Sequence, residues 1–216
     1  MMMNLFSTFD PCTGSLSLNW ISSLILLFMF NYNYWIKSNN MMNLMLKIMM
    51  SMKNELNVIM PESGSSIMFL SMSIFILINN MMGLIPYIFT SSSHLTFSLA
   101  LALPMWLSFM MYGWMNKTNS MFTHLVPMGT PSILMPFMVL IETISNLIRP
   151  GSLAVRLTSN MIAGHLLMAL LGNSCSFLTT MVFMFIFMTL MLFETAVSLI
   201  QSYVFMILAT LYSSEV

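Results

Sequence analysis

The sequence predicts an all-α protein that crosses a membrane several times. Of its 216 residues, 58% are hydrophobic and 6% are charged, whereas a soluble domain has about 25% charged residues. Six basic and six acidic side chains are too few to solvate a soluble surface of this size, and long apolar stretches recur along the chain. The zero net charge gives no electrostatic basis for binding nucleic acid. We expect one membrane-embedded domain over residues 1–216.

The N-terminal part of the chain combines a membrane span with a more polar helix. Residues 19–36 form the first predicted span, which has aromatic side chains near both ends, as is typical of membrane interfaces. In residues 41–60, Lys47, Lys53 and Glu55 interrupt the apolar positions. This segment is too polar to span and too apolar for a solvated loop, so we predict an amphipathic helix on the membrane surface.

Two further spans follow as a hairpin, over residues 67–89 and 95–115. Asn79 and Asn80 lie in the first of them, where asparagines commonly hydrogen-bond to a neighbouring helix. Pro104 predicts a kink in the second, because proline removes a backbone hydrogen bond from a helix interior.

The C-terminal part contains two apolar stretches of unusual length, residues 132–171 and 175–212. As helices, each would be about 60 Å long at 1.5 Å per residue, twice the ~30 Å core of a bilayer. Each stretch therefore contains a break or lies strongly tilted. Pro150 followed by Gly151 predicts a kink in the first stretch. The second has neither residue type, which favours one uninterrupted helix and a tilted hairpin.

The lysines predict the orientation of the chain. They follow the first and the third predicted spans, which places them all on one side of the membrane: Lys37, Lys47, Lys53 and Lys117. The positive-inside rule makes that side the cytoplasm, or the matrix of a mitochondrion. The N-terminus then lies on the opposite side.

Arg156, a cation within the long apolar region, points to a functional site. Arg156 and Asn160 are four residues apart and share a helix face, and Ala163 and Gly164 extend that face with small residues. A charge at the bilayer centre costs about 2.5–3.5 kcal/mol on insertion scales, so something must compensate Arg156. Arginine does not release its proton in proteins. Arg156 can therefore hold a fixed positive potential, but it cannot relay protons.

The last apolar stretch carries a second polar stripe. Glu194, Ser198 and Gln201 lie at relative positions 0, 4 and 7 and therefore share one helix face. The two stripes could face each other, either satisfying one another's polar groups with no transport role or lining a narrow wet path.

Titratable side chains bracket Arg156 without adjoining it. His165 lies about 13 Å from it along a helix and Glu142 about 21 Å, a layout of two separate proton paths with a barrier between them. If the helix continues through Pro150, the spacing of seven places Glu142, Arg149 and Arg156 on one stripe. The carboxylate that meets Arg156 is either Glu142 or Glu194 in a buried salt bridge, or belongs to a different, moving subunit.

Three other ionisable side chains receive local roles. We interpret Arg149 as a contact to the matrix side or to lipid headgroups. His94 and His124 fall in predicted loops, where we assign them structural roles.

Several segments of the chain resemble subunit a of the F-type ATP synthases, in its animal mitochondrial form. The resemblance rests mainly on residues 141–165 (IETISNLIRPGSLAVRLTSNMIAGH), on residues 194–205 (ETAVSLIQSYVF) and on residues 79–87 (NNMMGLIPY). The two ends of the chain fit as well, so the resemblance covers nearly its whole length.

The resemblance implies specific roles at these positions. Arg156 matches the family's essential arginine, which faces a carboxylate on a rotating ring of c subunits. His165 and Glu194 match the pair that lines the half-channel to the intermembrane space, and Glu142 matches an acid near the matrix exit. The proton pathway implied in this way comprises Asn160, His165, Glu194, Ser198, Gln201 and Glu142.

The resemblance also implies the function. The chain would be a proton-conducting stator subunit that couples proton flow to ATP synthesis, not an enzyme on its own, and without a cofactor or a metal. Its partners would be the c-ring, the peripheral stalk, other membrane-sector subunits and lipids, in the mitochondrial inner membrane with the N-terminus toward the intermembrane space. A proton-coupled secondary transporter or antiporter-like subunit is the alternative, although it would commonly show internal repeats and broken helices. A purely structural membrane anchor is the third interpretation.

Overall fold

A computed structural model gives the fold, and every regular element that it describes is a helix. Four of these helices are long and apolar enough to cross a membrane, which confirms the all-α, multi-pass fold class. Of the predicted span 19–36, the structure describes residues 19–24. A 3₁₀ turn over Leu18–Ile21 overlaps its start. The rest of the predicted span lies outside the described residues. The structure describes Phe6, 9–12, 16–24, 39–60, 63–85, 88–126, Gly129, 131–174 and 180–214.

The first long helix, α1, runs Asn40–Ile59 in the segment predicted to be amphipathic. Most of its side chains are exposed, but Leu56 is buried in the core. Near the same end, Glu55 accepts a 2.9 Å hydrogen bond from the hydroxyl of Tyr203. These contacts fix α1 against the last helix, while its position on a membrane surface stays a prediction.

The second long helix, α2, runs Ser63–Gly83, so the predicted end at residue 89 was wrong. Pro86 follows shortly after, and a proline disfavours helix at the residue before it. The chain then folds back closely, because a Cβ on Gly83 would lie 3.2 Å from Cγ2 of Thr90. A buried 3₁₀ turn over Ser91–Ser93 leads into the next helix.

The third long helix, α3, runs Leu95–Asn116 and remains helical through Pro104. A short helix that the sequence analysis did not predict, α4, follows over Thr118–Leu125. His124 therefore lies on a helix, and its predicted loop position was wrong. The ring of Phe122 on α4 packs edge-on against Trp114 on α3, with 5.1 Å between centroids. This tertiary contact holds a segment too short to be a stable helix alone.

The two long C-terminal helices are each continuous. Helix α5 runs Met135–Ser174 through Pro150, and helix α6 runs Thr180–Ser214. Their 40 and 35 residues exceed the length of about 20 that spans a bilayer. Neither is broken, so a strong tilt remains the way to fit them into a membrane.

The core lies where α2, α3, α5 and α6 meet. Helix α6 packs mainly on α2, and α5 packs mainly on α3. Fully buried apolar side chains from three of these helices fill the centre: Phe69, Ile76, Leu157, Phe205 and Met206. This packing fixes the rotation of α5 and α6 and so determines which of their polar residues face each other.

Candidate functional site

The polar stripes of α5 and α6 face each other. Nδ2 of Asn160 donates a 3.0 Å hydrogen bond to Oε1 of Gln201. One helical turn along α5, Gly164 lies directly against Glu194, since a Cβ added to this glycine would overlap the carboxylate. Glu194 and Gln201 are each only 5% exposed. We call these four residues, Asn160, Gly164, Glu194 and Gln201, the α5–α6 seam.

The local sequence explains how the seam forms. Residues four apart on a helix lie one above the other, so Asn160 and Gly164 line one edge of α5. The absence of a side chain on Gly164 leaves room for the Glu194 carboxylate, as small residues do where membrane helices approach closely. Ser198 lies between Glu194 and Gln201 on α6, but its hydroxyl donates to Thr195 O at 2.7 Å and to Met81 Sδ at 3.1 Å.

Arg156 points away from this packing and is exposed. Among the described residues, it forms neither an ion pair nor a side-chain hydrogen bond. The two carboxylates proposed as partners within the chain lie elsewhere, with Glu142 beside Arg149 and Glu194 in the seam. Within the described residues, no salt bridge therefore explains this arginine. Its neighbours Val155 and Ser159 are also exposed, so Arg156 presents its charge on an exposed surface of α5.

Glu142 and Arg149 form an ion pair on the same helix. Oε1 of Glu142 lies 3.7 Å from the Arg149 guanidinium, and the side chains are 39% and 25% exposed. The guanidinium also lies over the ring of Tyr212, 5.1 Å from its centroid. The continuous helix thus brings together the first two members of the predicted stripe, while Arg156 lies further along it. A half-exposed pair of this kind contributes about 0–1 kcal/mol.

A cavity of about 580 Å³ opens beside this ion pair. Indole rings of α3 form much of its apolar wall, and Glu142, Asn146 and His124 provide polar groups. It is separate from the α5–α6 seam, since no seam residue lines it. The structure therefore places Glu142 and Glu194 at two distinct polar sites.

His165 follows Gly164 at the far end of the seam. Its Nε2 is buried and has no hydrogen-bond partner among the described residues. The ring of Phe9 packs against it at 88°, with 6.2 Å between centroids. The imidazole therefore keeps a buried nitrogen with no partner among the described residues, directly after the glycine that packs against Glu194.

The structure adds Asn80, which the sequence analysis assigned only to helix packing. Both asparagines were expected to bond to a neighbouring helix, and Oδ1 of Asn79 accepts a 3.4 Å hydrogen bond from the Ser91 hydroxyl of the following 3₁₀ turn, while its Nδ2 donates to Phe75 O of its own helix at 3.1 Å. Asn80 is fully buried, and neither of its side-chain polar atoms has a partner among the described residues. Buried amides are nearly always hydrogen-bonded, so Asn80 is a candidate lining residue for a polar path. No sequence signal separates it from Asn79.

The described residues contain no group of three or more His, Cys, Asp or Glu side chains that could hold a metal ion. The groups at the two sites are suited to proton transfer, hydrogen bonding and charge pairing. Carboxylate and imidazole groups can carry protons, and Arg156 offers a permanent positive charge.

Comparison with known proteins gives one consistent result. The family model for the ATP synthase A chain matches residues 1–214. ATP synthase subunit a of Anopheles gambiae is 54% identical over 225 residues, with both chains covered fully. The subunit a proteins of Locusta migratoria and Drosophila yakuba are 54% and 55% identical, again over the full length of both chains. The chain therefore belongs to the ATP synthase A chain family, as a multi-pass membrane-sector subunit for proton translocation rather than a catalytic one.

Proposed function

We propose that this chain is the stator that loads and unloads protons on a rotating ring of c subunits. It provides two half-channels, one on each side of the membrane, and Arg156 stands between them. A ring carboxylate is protonated at the inlet, crosses the lipid in its neutral form and releases its proton at the exit. Each charge that crosses gains about 2.3 kcal/mol per 100 mV of membrane potential, and this energy drives the rotation.

The observation that carries this proposal is that Arg156 is exposed and has no ion-pair partner among the described residues. A guanidinium within a helix long enough to span a membrane is costly without a counter-charge. Since Glu142 and Glu194 are engaged elsewhere, the partner is an external carboxylate. Attraction to a fixed cation stabilises the ionised form of such a carboxylate. Arg156 then holds each ring site deprotonated as it passes, which prevents protons from leaking directly between the half-channels.

The α5–α6 seam supports the inlet. His165 and Glu194 are the titratable groups there, and His165 keeps a buried nitrogen that has no partner among the described residues. The hydrogen bond between Asn160 and Gln201 closes the seam on the side toward Arg156. Ser198 and Asn80 add polar groups on the facing helices. Protons reach the ring through this polar interior, and the amide pair separates them from the exit.

Glu142 supports the exit. It borders the open cavity and lies 3.7 Å from the Arg149 guanidinium, and its carboxylate can accept a proton from a ring carboxylate. The cavity connects this carboxylate with the surface of the described structure. A proton released from the ring passes to Glu142 and then to the water on that side.

The proposal also places the chain as one domain in the mitochondrial inner membrane, with its N-terminus toward the intermembrane space. The lysines near α1 and after α3 then lie on the matrix side, as the positive-inside rule requires. Helix α1 lies on the matrix surface of the membrane. The peripheral stalk, other membrane-sector subunits and lipids cover the faces of the helices that do not meet the c-ring.

Replacement of Arg156 by alanine in the assembled complex tests the function. We expect loss of gradient-driven ATP synthesis, whereas nucleotide hydrolysis by the catalytic head continues uncoupled. Ser152→Ala is the matched control on the same helix, because the exposed Ser152 hydroxyl donates to Arg149 O of its own helix and has no part in the proposed proton path; we expect it to retain most of the coupled synthesis. Normal gradient-driven synthesis by the Arg156→Ala complex would disprove the proposal.

A further inference from the structure

One residue of the N-terminal segment contacts two histidines at once. The carbonyl oxygen of Phe9 accepts a 2.9 Å hydrogen bond from Nε2 of His94, before the start of α3. The ring of the same phenylalanine packs against the imidazole of His165 on α5, at 88° and 6.2 Å between centroids. Phe9 thus links the α2–α3 loop to the titratable end of the α5–α6 seam.

His94, which holds Phe9 through this hydrogen bond, is itself in contact with neighbouring aromatic rings. The imidazole of His94 stacks on Phe89, with 5.3 Å between centroids, and lies 5.2 Å from the ring of Trp20. Asp10 ties down the next part of the segment, because its carboxylate accepts from Cys12 N at 3.0 Å and its carbonyl accepts from Asn19 Nδ2 at 3.3 Å. The position of Phe9 is therefore determined by its surroundings.

The contact with His165 restricts the one imidazole of the inlet. Phe9 and His165 are both partly buried, and an edge-to-face arrangement is a favourable geometry for aromatic rings. The Phe9 ring covers part of the imidazole and limits its rotation, while Nε2 remains buried and without a partner among the described residues. Nothing in the sequence separates Phe9 from the other phenylalanines near the N-terminus, and only this geometry singles it out.

We propose that Phe9 is a positioning residue for the inlet path, held in place by His94. It fixes the orientation of the His165 ring and shields it from bulk water on the outer side, so that its protons come through the polar interior beside Glu194. The described ionisable groups around this point are Asp10 and His94 on the N-terminal side and Glu194 across the seam. The inference rests on the proposed role of His165 in proton uptake, but the covering of its ring can be tested by itself.

Histidine modification in the assembled complex tests the covering directly. Diethyl pyrocarbonate labels accessible imidazoles, and mass spectrometry reports the rate at each histidine. For Phe9→Ala we expect His165 to be labelled about two- to tenfold faster, the range that loss of one aromatic pair implies. His124, exposed on α4, serves as the internal reference. Phe6→Ala is the matched control, because Phe6 lies nearby in the chain but is 68% exposed, and it should leave the rate at His165 unchanged.

Two further variants separate positioning from general damage. His94→Phe keeps an aromatic ring between Trp20 and Phe89 but removes the hydrogen bond to Phe9, and it should also speed labelling of His165. We expect Phe9→Ala to shift the dependence of ATP synthesis on the inlet-side pH. Phe9→Tyr retains the aromatic ring, so it should show the slow labelling of His165 and the pH dependence of the wild type. Equal labelling of His165 in the wild type and in Phe9→Ala would overturn this inference. Normal gradient-driven synthesis by a His165→Ala complex would instead overturn the proposed inlet and leave the labelling result intact.

Discussion

Replacement of Gly164 by alanine perturbs the α5–α6 seam directly. An added Cβ would overlap the Glu194 carboxylate, with Oε1 2.6 Å away and Oε2 and Cδ closer still. Ordinary contact between such atoms needs about 3.5–4.0 Å, so the carboxylate must retreat by about 1 Å. Because it is the end of a flexible side chain, it can do so without moving the backbone.

The expected effects on stability and function therefore differ in size. Overpacking costs about 1–3 kcal/mol, and the better helix propensity of alanine offsets up to about 1 kcal/mol of it. Gradient-driven ATP synthesis is more sensitive than stability, since a misplacement of a reacting group by about 1 Å can lower a rate about 100-fold. We expect Gly164→Ala to lower gradient-driven ATP synthesis roughly 10- to 100-fold while the complex still assembles.

The assay is ATP synthesis by vesicles that contain the complex, under an imposed pH gradient, with assembly checked by thermal unfolding. Gly172→Ala is the matched control on the same helix, because no heavy atom lies within 4 Å of its added Cβ. A second change, Glu194→Asp, shortens the acid by one methylene and should restore part of the rate in the Gly164→Ala background. If Gly164→Ala supports synthesis as well as Gly172→Ala, the carboxylate at this place is not part of the inlet.

Three further predictions follow from the same geometry. Loss of the amide hydrogen bond in Asn160→Leu or in Gln201→Leu should destabilise the complex by about 1 kcal/mol. A double-mutant cycle in thermal unfolding should show that the two effects are not additive. Full additivity would mean that the bond does not form. Asn80→Leu removes two buried polar atoms that have no partner among the described residues. It should leave the free energy of unfolding unchanged or raise it by up to about 1 kcal/mol, while slowing proton flow across the vesicle membrane. A strong loss of stability would mean that Asn80 has a structural partner. Glu142→Gln should lower gradient-driven synthesis but change the unfolding free energy by no more than about 1 kcal/mol, because the ion pair with Arg149 is half-exposed; an unchanged rate would remove Glu142 from the exit path.

Periodicity and composition were sufficient for much of the architecture. The long apolar runs of α5 and α6 identify membrane helices because apolar side chains in such numbers cannot face water. The spacing of four between Asn160 and Gly164 correctly places them on one helix edge, since that spacing is fixed by the helix itself. The errors came where tertiary contact decides the outcome. Helix α4 is held by the ring contact of Phe122 with Trp114, and a short segment carries little signal of its own.

The candidate site was predictable in its residue types but not in its pairings. Glu142 and Glu194 were equal candidates as partners of Arg156, because sequence spacing does not give distances between helices. The fold resolved this by pairing Glu142 with Arg149 and by packing Glu194 against Gly164. The same holds for Asn79 and Asn80, which are adjacent in sequence but turn to different sides of α2, so that only Asn79 has a side-chain hydrogen bond to another described residue.

The sequence by itself determined that this is a helical membrane protein whose long C-terminal helices carry an arginine and two polar stripes. Those features follow from composition and from the period of a helix, which are local properties. Only the tertiary structure decided that the stripes of α5 and α6 meet, that Arg156 faces outward, and that Phe9 lies over His165. The physical reason is that the rotation of each long helix is set by the burial of Leu157, Phe205 and their neighbours, a packing problem that involves distant parts of the chain at once.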